Sequence, residues 1–305
     1  MIDSSIFPTI FLSIFLEAIP FILMGIVISA VIGTFVSEET IARIIPKNRL
    51  LGIVVAIMLG FFIPSCDCTV IPVARRLIKK GVPLYIAIVF MLVSPIVNPI
   101  VLGATTYAFY NTNPSMVIFR TIGGIFVAIV AGIIASFLVD GKSVLKEDIY
   151  TISSCSCGCT SNHNRKGIKN LLIHIKDEFF GIGSYLIAGI LIASLVQTFV
   201  PKDFFISMSS RSGYSIIVMM LFAYLISLCS TADSFVAKVF VNQMTEGSIL
   251  GFLILGPMID IKNTLVLLAG FKQKFVIYLL VIILFLVFCV SMFVDSIGYG
   301  GYIWG

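Results

Sequence analysis

The sequence predicts an all-α integral membrane protein, a polytopic helical bundle, and three observations carry that reading. Hydrophobic residues make up 59% of the 305-residue chain and charged residues only 11%. Mean hydropathy is +1.12, well above that of a soluble globular chain. Several apolar runs exceed the roughly 18 to 20 residues that cross a hydrocarbon core of about 30 Å. The net charge of +5 comes from basic residues spread over short loops, which argues against a nucleic-acid face. Seven unevenly spaced cysteines do not make a secreted disulfide framework. The apolar run at the N-terminus has no basic residue ahead of it and is interrupted by Glu17, so a cleaved signal peptide is not expected.

The helices follow from the apolar runs in order. Ile6–Val36 opens the chain. Leu50–Ile63 and Val70–Lys80 are too short to cross comfortably and flank Pro64–Thr69. Pro83–Tyr110 is long but interrupted at Ser94-Pro95 and Asn98-Pro99, and Ser115–Val139 is continuous. A charged, cysteine-containing stretch then leads to Phe179–Val200. Tyr214–Leu228 and Ser234–Met244 form a second short pair, Ile249–Phe271 is interrupted at Gly256-Pro257, and Phe275–Val294 closes the series.

Each short pair is either one broken crossing or a re-entrant hairpin, and basic residues choose between them, because cytoplasmic loops are enriched in Lys and Arg. With two hairpins the basic residues divide 15 against 3 between the two sides; with eight plain transmembrane spans they divide 11 against 7. The hairpin topology is therefore favoured, with about three spans plus a hairpin in each half and both termini outside. Gly25–Val36 also aligns with Gly189–Val200 at six of twelve positions, which sets Cys66 on Cys229 and Ala74 on Ala237. An odd number of crossings per half turns the second half upside down, as in inverted-repeat transporters. The expected division is residues 1–140, a cytoplasmic linker 141–177, and residues 178–305.

Candidate chemistry concentrates at four interruptions. At the first hairpin tip, Cys66 and Cys68 suit a soft ligand such as copper(I), zinc or a trivalent metalloid. Between them, Asp67 is an ionisable group at membrane depth and marks a functional site by default. The plainer alternative makes the cysteines small apolar fillers and Asp67 a helix cap. The second tip offers Cys229, Thr231 and Asp233. The interrupted spans offer Ser94 and Asn98 in one and Asp260 in the other, at positions where proline frees backbone carbonyls for a substrate or ion. Asp260 and Lys262 could form a buried pair, although residues two apart on a regular helix do not face each other. Glu17 is a candidate coupling carboxylate. Cys155, Cys157 and Cys159 in the linker are candidate ligands for a soft metal, without the Cys-x₂-Cys spacing of a stable zinc site. His174 and Glu178 fit interfacial positions and Cys289 a core position.

The segments Pro64-Ser-Cys-Asp-Cys-Thr-Val-Ile-Pro72 and Ser94-Pro-Ile-Val-Asn-Pro99, with Arg75-Arg76, resemble the bacterial predicted-permease family that includes the ArsP organoarsenical efflux permeases. The resemblance runs over essentially the whole chain. It implies an inner-membrane permease and, for characterised members, export of trivalent organoarsenicals.

Three function classes follow. The first is a permease exporting a small thiophilic solute, such as a trivalent organoarsenical or soft metal, driven by an ion gradient since no nucleotide-binding motif is present. The second is a permease for another small organic or inorganic anion with structural cysteines. The third is a membrane thiol-disulfide oxidoreductase, which would be expected to carry a Cys-x₂-Cys pair. The first implies no enzyme activity and no cofactor, with a small solute and the bilayer of the cell membrane as partners. Oligomeric state is left open.

Overall fold

The computed structural model describes residues 6–35, 48–62, 67–138, 144–145, 168–199, 212–241 and 243–299. Twelve helices run through them: α1 (Ile6–Phe35), α2 (Arg49–Phe62), α3 (Asp67–Lys79), α4 (Leu84–Val97), α5 (Pro99–Phe109), α6 (Ser115–Leu138), α7 (Ile168–Phe199), α8 (Ser212–Ile226), α9 (Ser230–Val239), α10 (Glu246–Met258), α11 (Ile261–Gly270) and α12 (Gln273–Tyr299). The order repeats: a long helix, two short ones, an interrupted pair and a long helix, first in α1–α6 and again in α7–α12.

The centre is made by the helices that are apolar on every side. All of α4 except Tyr85 is buried, and α10 is buried from Gly247 to Met258. A helix with no polar face has to lie inside the bundle, and these two pack against each other. Around them α2 and α6 flank α4, α8 and α12 flank α10, and α6 meets α12. Phe90, Phe109, Phe222 and Phe252 fill the interior. Outward-facing Leu50, Met58 and Phe62 on α2, Phe126 and Phe137 on α6, and Phe285 and Phe293 on α12 present an apolar surface. In a bilayer that surface contacts lipid and costs nothing.

Length separates crossing helices from the rest. Among the described residues four stretches are long and apolar enough to span, Phe7–Val27, Ser115–Phe137, Glu246–Gly270 and Gln273–Ile297; α4 with α5, bent by 41°, makes a fifth. Helix α2 has 14 residues, about 21 Å at 1.5 Å per residue, and falls short of a core of about 30 Å. Helix α7 covers the stretch expected as the fourth crossing and departs from its bounds. It begins at Ile168 rather than Phe179 and has 32 residues. Lys169, His174, Lys176, Asp177 and Glu178 extend it as a polar helix, which apolarity alone cannot reveal.

The second helices of the two short pairs start earlier than the apolar pattern suggests, α3 at Asp67 rather than Val70 and α9 at Ser230 rather than Ser234. The polar tip residues form the first helical turns, where an acidic side chain meets the positive end of the helix dipole. The two halves also differ from each other. Gly25 on α1 lies against Thr69 of α3, with room for a Cβ only 2.4 Å from the Thr69 Cβ. Its sequence counterpart Gly189 on α7 lies against Lys262 of α11 instead, 3.1 Å from the Lys262 Cα. Helices α1 and α7 pack side by side, so the same close crossing serves a hairpin helix in one half and an interrupted helix in the other.

Candidate functional site

The starts of α3 and α9 meet. Asp67, 6% exposed, sits in the first turn of α3, and the Ser230 hydroxyl at the start of α9 donates to its Oδ1 at 2.5 Å. The neighbouring Cys68 thiol donates to Asn263 Oδ1 on α11 at 3.5 Å. Across the tip of the second hairpin, the Cys229 Sγ and Thr231 Oγ1 lie 2.9 Å apart. The first half thus supplies a thiol and a carboxylate, and the second a thiol and two hydroxyls.

The interrupted helices restart at the polar residues singled out in the sequence. Asn98 caps α5, its Oδ1 accepting from the Ile100 amide at 3.0 Å with Pro99 at the first helical position. Asp260 caps α11 in the same way, accepting from the Asn263 amide at 2.5 Å. Because Asp260 is extended (φ −137°, ψ 179°) and outside the helix, its Oδ2 comes within 3.6 Å of Lys262 Nζ. The spacing rule for a regular helix does not apply at a break. Lys262 also donates to the Ser227 carbonyl at 3.3 Å, and the Gln197 side-chain amide donates to the Ile226 carbonyl. These two donors satisfy carbonyls left open where α8 ends. Ser227 itself has left-handed backbone, φ 52°, which aims the tip toward the centre.

One residue without an assigned role in the sequence reading is structurally central. Arg120, in the second turn of α6, is fully buried. Its Nη1 donates to Thr105 Oγ1 at 2.6 Å and Ser234 Oγ at 2.7 Å, and its Nη2 to the Ser230 carbonyl at 3.1 Å. It ties α5 and α9 to α6. The signal was present: a lone arginine inside an apolar span is expensive and marks a functional or bracing position.

A cavity of about 230 Å³ opens between these elements. Glu17 and Ile14 of α1, Asp67 and Cys68 of α3, Asn98 at the α4–α5 break, Cys229 and Thr231 at the second tip, and Lys262 of α11 contribute to its wall. Its content is therefore thiol, carboxylate, amide, hydroxyl and one ammonium, set in apolar surroundings.

Residues 5–296 match the ArsP_1 family, described as predicted permease. The chain belongs to that family. It is 42% identical over 288 residues to the UPF0718 protein YcgR of Bacillus subtilis (strain 168), covering 94% of this chain and 96% of that one. It is 38% identical over 271 residues, 88% of each chain, to a protein of Streptococcus mutans serotype c (strain ATCC 700610 / UA159) named as a putative two-component membrane permease complex subunit. No solved structure matches it. The protein is thus a multi-pass membrane permease, a transporter rather than an enzyme.

The permease gathers six of its sequence-predicted residues at one cavity: Glu17, Asp67, Cys68, Asn98, Cys229 and Thr231. Asp233 and Asp260 are buried behind them, and Ser94 lies elsewhere, its hydroxyl donating at 3.5 Å to the Gly60 carbonyl where α2 crosses α4. Cys66 and the linker cysteines Cys155, Cys157 and Cys159 fall outside the described residues. Among the described residues no group of three His, Cys, Asp or Glu side chains is placed to hold a metal. Cys289, expected in the core, is exposed on α12 instead. The wall of an intramembrane helix bundle rewards apolar side chains on its lipid side, so hydrophobicity does not tell core from surface there.

Proposed function

We propose that this permease exports a small thiophilic solute, a trivalent organoarsenical or a soft metal or metalloid, across the cell membrane at the expense of an ion gradient. The observation that carries the reading is the presence of Cys68 and Cys229, one from each hairpin tip, in the wall of one cavity. Trivalent arsenic and soft metals bond to thiolates in preference to oxygen ligands, and Cys66 lies two residues from Cys68 in the chain. The two halves act as inverted repeats, residues 1–140 and 178–305. The linker 141–177 presents Cys155, Cys157 and Cys159 to capture the solute on the cytoplasmic side. Alternating access then rocks the halves about the meeting point of the tips.

The anion-permease reading draws on Lys262, which lines the cavity, but Lys262 is already matched by Asp260, and the carboxylates of Glu17 and Asp67 line the same wall. Their charge repels an anion. The Streptococcus relative's name supports looking for a second protein component. The test is growth of cells expressing the chain in arsenicals, antimonials and soft metals. The wild type raises tolerance to at least one of them, and Cys66→Ser with Cys68→Ser abolishes the gain. Undiminished tolerance in that double variant, for every agent tested, refutes thiol coordination.

A further inference from the structure

Ser227, just past the end of α8, holds a conformation that serine avoids. At φ 52° its backbone is left-handed, and it is alone in this among the described non-glycine residues. Glycine enters that region freely, whereas a side chain makes it costly. The main chain of Ser227 is engaged on both sides. Its amide donates to the Ala223 carbonyl at 3.4 Å, and its carbonyl accepts from Lys262 Nζ at 3.3 Å. The side chain is different. Ser227 is 1% exposed, and its Oγ is buried with no hydrogen-bond partner among the described residues.

Neither feature is needed to build the turn. Glycine would make it without strain, and alanine would fill the space without an open hydroxyl. The strained backbone and the open hydroxyl coincide in one residue, and that residue lines the cavity, two positions from Cys229. Backbone strain collects at ligand clamps, and buried polar atoms are otherwise satisfied almost without exception. The hydroxyl also narrows the ligand. It exchanges hydrogen bonds with oxygen or nitrogen, whereas a soft metal or metalloid atom prefers the thiols of Cys68 and Cys229 in the same wall.

We propose that Ser227 is a solute-binding residue whose hydroxyl holds an oxygen that the solute keeps once its soft atom is bonded to Cys68 and Cys229. The solute is then a trivalent metalloid that carries a further oxygen, rather than a bare soft cation. Arsenous acid, with three hydroxyls on arsenic, is the simplest case. Each thiol forms an As–S bond as its S–H bond and one As–O bond break, and the thiol proton leaves with that hydroxyl as water. Arsenic stays trivalent, and the third hydroxyl remains for Ser227. Hydrated phenylarsine oxide has only two hydroxyls, loses both in the same exchange and leaves Ser227 without a partner. This role for Ser227 rests on the thiol reading of the cavity and adds to it the group that meets the oxygen side of the solute.

The test uses the purified full chain in lipid nanodiscs, with Ser227→Ala and Ser227→Gly beside the wild type. Without solute, Ser227→Ala melts no lower than the wild type, because it removes an open hydroxyl. Ser227→Gly, which also relieves the left-handed backbone, melts about 2 °C higher. A hydroxyl that held the fold together would give the opposite order. Protection of Cys229 from N-ethylmaleimide is then titrated with arsenous acid and with phenylarsine oxide. Loss of one hydrogen bond raises the half-protecting concentration of arsenous acid about threefold to tenfold in both variants. That of phenylarsine oxide stays unchanged. A lower solute-free melting temperature in Ser227→Ala overturns the proposal. So does an arsenous acid titration that is the same in all three proteins, or equal weakening towards both arsenicals. Arsenous acid that fails to protect a wild type protected by phenylarsine oxide overturns it as well, and leaves the thiol reading standing. If neither arsenical protects the wild type, the thiol reading falls and the role of Ser227 with it.

Discussion

The Ser230 hydroxyl donates to Asp67 Oδ1 at 2.5 Å, joining two residues 163 positions apart and with them the first turns of α3 and α9. A hydrogen bond to a charged group contributes about 1.5–3 kcal/mol. Ser230→Ala is therefore expected to destabilise the purified protein by about that amount, measured as a lower unfolding midpoint in detergent. A variant that unfolds with the wild type would mean that the tips are held together by packing alone.

The two helix restarts differ in what they ask of their capping residue. Asn98 supplies only a cap, so Asn98→Ala is expected to cost about 1 kcal/mol. Asp260 also matches the buried Lys262, and removing one partner of a buried pair costs about 3–5 kcal/mol. Asp260→Asn keeps the acceptor for the Asn263 amide but removes the carboxylate charge beside Lys262. It should be the more damaging of the two, and Lys262→Met added to it should recover most of the loss. Thermal unfolding of the three variants checks the ranking.

Gly256 allows Asp233 to approach α10. A methyl group there would stand 2.7 Å from the Asp233 Oδ2 and 3.3 Å from its Cγ. Gly256→Ala should displace the hairpin helix at a cost of about 1–3 kcal/mol. The clash is with the carboxyl group itself, so combining it with Asp233→Ala should cost less than the sum of the single changes. Additive losses in a double-mutant cycle would place the strain elsewhere.

The parts of this architecture that the sequence disclosed were those written in residues that do not belong in oil. Asp67, Asp233 and Asn98, each beside a proline, cysteine or hydroxyl, and Asp260, three residues after Pro257, marked the starts of α3 and α9 and the helix breaks, and the structure brings these places to one cavity. Partner choice was not legible. That Lys262 reaches back to the Ser227 carbonyl depends on the extended backbone at Asp260, and that Arg120 braces α5 and α9 depends on which helices pack together. The length of α7 was hidden because polar helix beyond the apolar stretch leaves no hydropathy signal. The exposure of Cys289 was not legible because in a bilayer protein an apolar position faces lipid as readily as core.

Gly25 and Gly189 show how closely α1 and α7 are seated. A Cβ at Gly25 would meet the Thr69 side chain at 2.4 Å and its backbone at 3.0 Å, whereas at Gly189 the nearest atom is the Lys262 Cα at 3.1 Å. Gly25→Ala is expected to lower transport and thermal stability more than Gly189→Ala. Thr69→Ser, which removes the Cγ2 methyl, should partly relieve Gly25→Ala. Equal effects of the two alanines would mean that the crossings are equivalent after all.

The central claim, that a thiophilic solute binds between the two hairpin tips, is tested most directly by thiol protection. Purified protein is treated with N-ethylmaleimide with and without phenylarsine oxide, a trivalent organoarsenical, and modification of each cysteine is followed by mass spectrometry. Cys68 and Cys229, which line the cavity, should be protected together, Cys66 with them, while Cys289 on the outer face of α12 reacts at an unchanged rate. Unchanged alkylation of Cys68 and Cys229 in the presence of the arsenical would contradict the account.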